Sequence, residues 1–276
     1  MAMILFPKMF GIFSLPGAMN EFTHWLASLP VPYHVEGNKV YIGHLVIHWM
    51  AIRPNAHFEG EPEKGHIVLW EDSWATKQDL IKSRISSLLG KNTVLDARET
   101  KIAAISKPEL DLFLQRHHLM GPTSCKHKMG LRYRGVLVAV ASFNGPKTYY
   151  REQIPYRSYE LVRYCSLSDV TISGGLSKLV AAFVEKYAPE DIMTYADREW
   201  SDGQVYESLG FVKTERLPPQ SFWVRPGEWV RYRPVELATK FCITQGKEEE
   251  KEAEWAANGY CKIWNLGNLK FILKLK

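Results

Sequence analysis

The sequence has 276 residues, of which 46% are hydrophobic and 24% charged, a balance that excludes a disordered chain and indicates a folded globular protein. The formal net charge of +5 allows an anionic partner without requiring one. No uninterrupted run of 18 apolar residues occurs, so neither a transmembrane helix nor a membrane partner is expected. The four cysteines are widely spaced, which favours reduced thiols and a cytoplasmic location. The apolar stretch from Met1 to Phe13 is a poor signal peptide, because its charged region is weak and no small-x-small site follows cleanly.

Residues 1–95 predict a small α/β domain. Apolar residues recur there with helical spacing in two segments and cluster in short runs typical of strands in three others. The predicted elements are a helix over Asn20 to Leu29, strands over Pro32 to His34 and Lys39 to Met50, a strand over His66 to Trp70, and a helix from Trp74 to Leu89 that stops at Gly90.

Residues 96–276 predict a second, larger domain, with the polar segment Asn92 to Lys101 as the link. Its strands and helices alternate, which favours an α/β fold. The predicted elements are a helix over Pro108 to His117, two strands within Met129 to Phe143 around the Arg134-Gly135 turn, a strand over Arg157 to Ser166, a helix over Leu176 to Tyr187, a strand over Ile192 to Tyr195, a short helix over Gln204 to Leu209, a helix over Lys247 to Ala257 and a final hairpin from Tyr260 to Leu275.

A glycine turn stands between a predicted strand and the predicted helix at Leu176. Glycines let a backbone approach an anion closely, and the N–H groups at a helix start attract negative charge. The sequence therefore predicts a phosphate-binding turn, although an ordinary loop-to-helix turn explains the same pattern. The turn consists of Ser173, Gly174, Gly175, Leu176, Ser177 and Lys178, the last two of which carry side-chain donors.

The order strand, glycine turn, helix and strand is followed by Tyr206-Glu207-Ser208-Leu209-Gly210-Phe211. This order resembles the GNAT acyltransferase superfamily, whose later half carries a pyrophosphate-binding turn and a Tyr-x-x-Leu-Gly-Phe segment. The resemblance implies an α/β (α+β) fold with a mixed sheet flanked by helices. It also implies that the glycine turn holds the pyrophosphate of acyl-CoA or a related acyl donor, and that Tyr206 protonates the departing thiolate.

A narrower resemblance covers roughly Asp96 to Lys270. The segments that carry it are Phe113 to Gly121, Gly130-Leu131, Glu160 to Cys165, Tyr195 to Ser201 and Gly259 to Asn268. They resemble bacteriophage-encoded proteins whose GNAT-like domain is similar to the Mom DNA-modification enzymes. This resemblance implies transfer of an acyl-type group to a base in DNA or RNA inside a bacterial host cell.

Transfer to an amine requires a base for the amine and an acid for the leaving group. Glu160 and Asp197 lie at strand positions that could face one cleft, and salt bridges to Arg163 or Arg198 are their alternative role. His118 follows His117 at a predicted helix end, where it could act as a base, bind phosphate or cap the helix. Tyr206 could instead be a core residue, and Ser201 a loop or capping residue that only the motif singles out.

Basic residues interleaved with tyrosines are a candidate nucleic-acid surface, and a solvated basic face is the alternative. The candidates are Lys126, Lys128, Arg132 and Arg134, with Arg163 and Arg198 from the motif segments. His117, His118, Cys125 and His127 have a spacing that matches no structural zinc pattern, and two lysines lie among them, so no metal site is expected.

The segments from His66 to Trp74 and from Ile81 to Ile85, with Lys77 between them, resemble very-short-patch-repair-like endonucleases of the PD-(D/E)XK type. Such nucleases need acidic residues on two adjacent strands to hold a divalent metal. The corresponding stretch from Val40 to Trp49 has none, and His48 stands where an acid would be expected. The region is therefore interpreted as a reduced, inactive relative. Two alternatives remain open: a metal-dependent nuclease that uses Glu71 and Asp72, and a noncatalytic DNA-binding or inhibitor protein.

Overall fold

The computed structural model describes residues 17–243 and 245–275, so the apolar stretch from Met1 to Phe13 lies outside the described residues. The described residues form seven α-helices, seventeen β-strands and one 3₁₀ turn. The predicted α/β class, a mixed sheet flanked by helices with a smaller α/β unit before it, is confirmed. None of the described helices is both long and apolar enough to cross a membrane.

The N-terminal unit is a four-stranded sheet with two helices. The order along the sheet is the order in the chain, and the strands are antiparallel except for the last pair. The predicted strand from Lys39 to Met50 is two strands, because Gly43 takes a left-handed conformation at φ 57° and reverses the chain. The elements are α1 (Gly17–Leu26), β1 (Tyr33–Glu36), β2 (Lys39–Ile42), β3 (Leu45–Met50), β4 (His66–Trp70) and α2 (Glu71–Leu88).

The rest of the chain contributes most of the elements. In chain order they are β5 (Thr93–Asp96), β6 (Lys101–Ala104), α3 (Lys107–His117), β7 (His127–Tyr133), β8 (Val136–Phe143), β9 (Lys147–Arg151), β10 (Ile154–Ser166), β11 (Val170–Ser173), α4 (Gly175–Tyr187), β12 (Asp191–Asp197), α5 (Gln204–Glu207), β13 (Val212–Arg216), β14 (Ser221–Val224), β15 (Arg231–Tyr232), α6 (Pro234–Lys240), α7 (Glu248–Ala257), β16 (Cys261–Trp264) and β17 (Asn268–Lys274).

The large sheet has the order β13-β17-β12-β10-β8-β7-β6, with β9 paired to β10. Helix α4 packs on it through Leu176, Leu179, Val180 and Phe183, which recur at the spacing of one helical face. Phe183 stacks on Phe143 of β8 with ring centroids 3.7 Å apart. This packing fixes the start of α4 against the middle of the sheet.

The predicted C-terminal hairpin is wrong. Strand β16 pairs with β14 in a separate three-stranded sheet, whereas β17 inserts between β12 and β13 of the large sheet. The chain changes sheets at Gly267, where a Cβ would lie 2.2 Å from the carbonyl oxygen of Leu217. Asn265 supports the crossing, because its side-chain oxygen accepts hydrogen bonds from the backbone N–H groups of Gln220 and Gly267.

The two predicted domains pack closely together. Residues of both share one buried cluster, in which Val68 and Trp70 of β4 contact Val224 and Ile263. The predicted link contains β5, which pairs in parallel with β11. A domain boundary at residue 95 stays a prediction, but the segment around it is ordered structure and not a free linker.

Candidate functional site

The large sheet opens between its two central strands. Strands β10 and β12 are the only parallel pair among the described strands of this sheet, and they pair only from Ser158 to Leu161 and from Asp191 to Thr194. Beyond that point β10 continues to Ser166 along β8, after a register shift between Leu161 and Arg163. Strand β12 continues along β17. The two strands therefore diverge, and their facing edges border a wedge-shaped opening.

A cleft of about 1490 Å³ occupies this opening. One wall is the sheet, with all of β10 from Glu160 onwards and the end of β12. The opposite wall comes from the N-terminal unit, through α2 and the loop before β4. Because both halves of the chain line it, the cleft exists only in the assembled protein.

Tyr206 lies at the narrow end of the wedge. The buried Thr194 hydroxyl donates a hydrogen bond to the carbonyl oxygen of Leu161 at 2.9 Å and closes that end. Burial raises the pKa of Tyr206, and Thr194, Arg84 and Arg163 offset only part of the rise. Its ring packs against Phe271, with centroids 5.5 Å apart. The phenol therefore keeps its proton at neutral pH and can donate it.

The two predicted acids, Glu160 and Asp197, both line the same cleft. A carboxylate oxygen of Glu160 accepts a hydrogen bond from the side-chain nitrogen of Asn144 at 2.9 Å. Asp197 accepts a hydrogen bond from the backbone N–H of Glu199 at 3.0 Å. Burial raises the pKa of Asp197, so its carboxylate is a stronger base than an exposed aspartate. The ion pairs of the described residues join neither acid to Arg163 or Arg198.

A buried ionic layer lies behind the cleft and joins the two halves of the chain. Arg231 donates two hydrogen bonds to Asp72, at 2.6 and 3.0 Å. Glu199 accepts a hydrogen bond from the indole nitrogen of Trp70 at 2.8 Å and lies 4.0 Å from Arg231. Burial and the neighbouring Asp197 raise the pKa of Glu199 to about 8. Glu199 is therefore mostly protonated at neutral pH, and Arg231 mainly neutralises Asp72.

Glu199 predicts a dependence of stability on pH. Its pKa rises from an ordinary 4.5 to about 8 on folding, so the folded protein binds this proton more tightly than the unfolded chain. The resulting stabilisation is complete below pH 4.5 and is lost as the pH rises towards 8. From pH 5 to pH 8 we expect the wild type to lose about 3.5 kcal/mol more of its free energy of unfolding than Glu199→Gln.

Urea denaturation at pH 5, 6.5 and 8 measures this difference. The exposed Glu207 provides a matched control, since Glu207→Gln makes the same chemical change outside the buried layer. That variant should follow the wild type at every pH. Equal losses for the wild type and Glu199→Gln would contradict the protonated state of Glu199.

His118 does not have the environment of a general base. It caps the C-terminal end of α3, and its Nδ1 accepts a hydrogen bond from the backbone N–H of Met120 at 3.0 Å. Burial and the charges of Arg163, Arg84 and Lys77 lower its pKa to about 3. A neutral ring whose Nδ1 is an acceptor carries its proton on Nε2, so His118 is a hydrogen-bond donor and not a base.

Neighbouring groups in the cleft are also uncharged. The Nδ1 of His117 lies 2.9 Å from the Ser168 hydroxyl, and burial lowers the pKa of its ring. The thiol of Cys165 donates to the carbonyl oxygen of His117 at 3.0 Å, and burial raises its pKa to about 12. Cys165 is therefore not a thiolate nucleophile.

The glycine turn at the start of α4 has the predicted backbone but one side chain is engaged elsewhere. Gly174 takes a left-handed conformation at φ 74°, and a Cβ on Gly175 would lie 2.6 Å from the Tyr164 hydroxyl. Ser173 and Ser177 are exposed there. Lys178 was predicted as a phosphate ligand, but its amine donates to the carbonyl oxygens of Ala97 at 2.8 Å and Thr100 at 2.5 Å. In this structure Lys178 holds the 97–100 segment and is not a free donor. Leu176 of the turn is buried and lines the cleft.

The predicted nucleic-acid residues do not form one surface. Lys126 and Lys128 lie at the start of β7, and Arg132 and Arg134 at its far end, about 20 Å along the strand. Arg132 is paired with Glu109. The cleft-lining residues do not include these four, whereas Arg163 lines the cleft.

Arg198, a predicted nucleic-acid contact, is buried and engaged within the protein. Its side chain is only 6% exposed, donates to the carbonyl oxygen of Leu266 at 2.6 Å and pairs with Glu61. It stabilises the cleft wall from inside. Ser201 is a loop residue at the cleft whose hydroxyl accepts a hydrogen bond from the backbone N–H of Gly203 at 3.0 Å.

The acids of the nuclease alternative are engaged in the fold. Glu71 accepts a hydrogen bond from the backbone N–H of Ile52, and Asp72 is held by Arg231. His48 contacts His66 at 2.9 Å between their ring nitrogens, and burial lowers its pKa to about 4. Within residues 17–243 and 245–275, no three His, Cys, Asp or Glu residues lie together as candidate metal ligands.

A charged cleft residue, Arg84, was not among the site residues predicted from the sequence. Arg84 projects from α2 of the N-terminal unit into the cleft, close enough to Tyr206, Cys165 and Asp197 for their charges to affect it. In the sequence, Arg84 is one charged residue on the exposed side of a predicted helix, a pattern too common to indicate a site. Its place in the cleft follows only from the packing of the two halves of the chain.

No protein-family model and no curated protein sequence matches the chain. Among solved structures, a histone acetyltransferase HPA2-related acetyltransferase from Corynebacterium glutamicum is similar over 64% of this chain and 97% of its own, at 13% identity and a TM-score of 0.39. An IAA acetyltransferase from Bacillus cereus shares 64% of this chain and 99% of its own, at 14% identity and a TM-score of 0.36. A GNAT family acetyltransferase from Elizabethkingia anophelis with acetyl-CoA bound matches the same shares, at 11% identity and a TM-score of 0.33. These values assign neither a family nor an activity to the chain.

Proposed function

We propose that the protein is a transferase that moves an acyl-type group from acyl-CoA or a related donor onto an amine of a nucleic-acid base. The observation that carries the proposal is the divergence of β10 and β12, with a protonated tyrosine at the narrow end and carboxylates along its sides. Such an opening offers the proton donor, the base and the space for an extended ligand in one place.

The residues of the opening fit a long, amide-containing donor. From Arg163 to Ser166, β10 pairs with β8 on one side, while its other edge borders the opening. Free backbone N–H and C=O groups on a strand edge can hydrogen-bond an extended ligand as another strand would. At the start of α4 the exposed Gly174 and Ser177 leave helix N–H groups accessible to a pyrophosphate. The fit rests on backbone groups, because Lys178 is engaged.

The side chains can move the two protons that the reaction requires. A bound acyl-CoA would supply a thioester, whose acyl carbon is activated for attack by an amine. The carboxylate of Asp197, with its raised pKa, can accept the proton that the amine loses. Tyr206 can give the proton on its hydroxyl oxygen to the departing sulfur. Glu160, held by Asn144, is placed to orient the amine.

The glycine turn gives a direct test of donor binding. A valine at position 174 would place a branched side chain at the exposed helix start, where we expect it to block the approach of a pyrophosphate. Isothermal titration calorimetry with acetyl-CoA should show at least tenfold weaker binding for Gly174→Val, which corresponds to about 1.4 kcal/mol.

Gly135 in the β7–β8 turn is a matched control. It also has a positive φ, 86°, and no atom lies within 4 Å of where its Cβ would be. Gly135→Val therefore introduces similar backbone strain away from the cleft, and its affinity for acetyl-CoA should stay within twofold of the wild type. Equal affinities for both variants would overturn the assignment of this turn.

The proposed acceptor of the acyl-type group is an amine of a nucleic-acid base. A nucleic-acid base is supported by the motif segments from Glu160 to Cys165 and from Tyr195 to Ser201, which line the cleft for most of their length. The size of the cleft and the arginines that line it suit a nucleotide, whose base carries an amine and whose phosphate carries negative charge.

A further inference from the structure

Two arginines from different halves of the chain line the cleft, and neither forms an ion pair within the described residues. Arg84 comes from α2 and Arg163 from β10, and both lie close enough to His118 and Tyr206 to lower their pKa values. Within the described part of the chain, the side chain of Arg84 has no hydrogen bond or ion pair. The Nε of Arg163 is buried without a hydrogen-bond partner there, while one Nη donates to the carbonyl oxygen of Val162.

The Nε–H of Arg163 is a buried donor without an acceptor, which costs free energy until a ligand supplies one. Arg84 is exposed to the cleft with its donors open to a ligand. The uncharged and cationic groups around the two arginines offer them no negatively charged acceptor. His118 presents a proton on Nε2, Lys77 adds positive charge and Tyr206 is neutral. Asp197 attracts Arg84, and Glu160 attracts Arg163, but within the described residues neither carboxylate lies at ion-pair distance from its arginine. Asp197 is hydrogen-bonded to the backbone, and Glu160 to Asn144.

We propose that Arg84 and Arg163 together bind a phosphate group of the substrate, so that the N-terminal unit supplies half of an anion site in the transferase cleft. Guanidinium groups match the oxygens of a phosphate through paired N–H donors, and two of them can hold one phosphate from opposite sides. His118 also lines the cleft and can add a third donor through its Nε2–H. The ligand class is a phosphate ester of nucleotide size, because the cleft of about 1490 Å³ is far larger than a free phosphate ion needs.

This inference gives the nuclease-like region a role that needs no acidic metal site. It rests on the proposed function only for the identity of the ligand, because phosphate binding can be measured without any transfer. The phosphate could belong to the donor, as in CoA, or to the nucleic-acid acceptor.

The test measures binding of three probes to the full chain: inorganic pyrophosphate, CoA and a six-nucleotide single-stranded DNA. Isothermal titration calorimetry should show that Arg84→Gln weakens pyrophosphate binding at least tenfold. Arg84→Lys keeps the charge but not the planar donor pair, so its affinity for pyrophosphate should lie between those of the wild type and Arg84→Gln. Arg116→Gln is the matched control, since Arg116 is exposed on α3 and outside the cleft lining, and it should bind within twofold of the wild type.

The double variant tests whether both arginines hold the same phosphate. If they do, the combined loss for Arg84→Gln with Arg163→Gln is smaller than the product of the single losses, because the second change removes contacts to a phosphate already lost. Independent losses would overturn the shared site. Unchanged pyrophosphate affinity in Arg84→Gln, or no binding by the wild type at millimolar concentration, would overturn it as well.

Binding of CoA and of DNA identifies which ligand carries the phosphate. Thermal unfolding tests whether the variants are correctly folded. A loss of pyrophosphate and CoA binding with DNA binding unchanged places the phosphate on the donor, and a loss of pyrophosphate and DNA binding with CoA binding unchanged places it on the acceptor; either result supports the site. Without ligand, Arg84→Gln should unfold close to the temperature of the wild type, since the Arg84 side chain makes no hydrogen bond or ion pair within the described residues. Binding lost together with a much lower unfolding temperature would overturn the assignment of Arg84 as a ligand group.

Discussion

Replacing Tyr206 by phenylalanine should reduce the rate of acyl transfer at least about 100-fold while leaving donor affinity within about threefold. The size of the expected rate reduction follows from the loss of a positioned general acid, which typically contributes a factor of 10² to 10⁴. The ring should remain packed on Phe211 and Phe271, because phenylalanine keeps every contact except those of the hydroxyl. Thiol release from acetyl-CoA in the presence of DNA measures the rate, and calorimetry the affinity.

A second tyrosine provides the control for this experiment. Tyr187 lies at the end of α4, packs on Phe183 with centroids 4.7 Å apart, and is not among the residues that line the cleft. Tyr187→Phe should transfer at the rate of the wild type. A Tyr206→Phe protein that matches the wild type in rate would remove Tyr206 from the proposed chemistry.

The second large effect is expected on stability. Arg231 is the cation of the buried layer that joins the two halves, and its removal leaves Asp72 charged and only 2% exposed. Removing one partner of a buried ion pair typically costs 3–5 kcal/mol, because the remaining charge is desolvated without compensation. Arg231→Met keeps much of the side-chain volume, so urea denaturation should show a loss of about 3–5 kcal/mol.

Arg233, two residues further along, separates this effect from a general loss of charge. It is exposed and pairs with Glu236 on the surface of α6. Exposed ion pairs contribute at most about 1 kcal/mol, so Arg233→Met should be close to the wild type. Similar losses for the two variants would show that the buried layer is not what holds the halves together.

Much of the fold was predictable from local patterns. Helix α4 was predicted from Leu176 and confirmed from Gly175, because its apolar residues repeat at the helical period and Gly174 precedes them. The strand from His66 to Trp70 was confirmed at both ends. The arrangement of β16 and β17 was not predictable, since both are short apolar runs and their partners lie far away in the chain.

The site shows the same division. Glu160, Asp197 and Tyr206 were predicted from motif segments, and the structure brings them to one cleft, although their roles stay predictions. The engagement of Arg198 and Lys178 within the protein was not predictable, because their partners are distant in sequence: Glu61 for Arg198, and the 97–100 carbonyls for Lys178. A charged side chain in a motif carries no local sign of whether it faces a ligand or the protein.

Mass spectrometry of nucleosides from the DNA of cells that express the protein tests the central proposal most directly. Cells expressing the wild type should contain one base with an added acyl-type mass, and cells expressing Tyr206→Phe at the same level should contain at most a hundredth of it. Nucleosides without any added mass in the wild-type cells, in the presence of the acyl donors those cells contain, would contradict the transferase. The noncatalytic nucleic-acid-binding protein would then be the better account of the cleft.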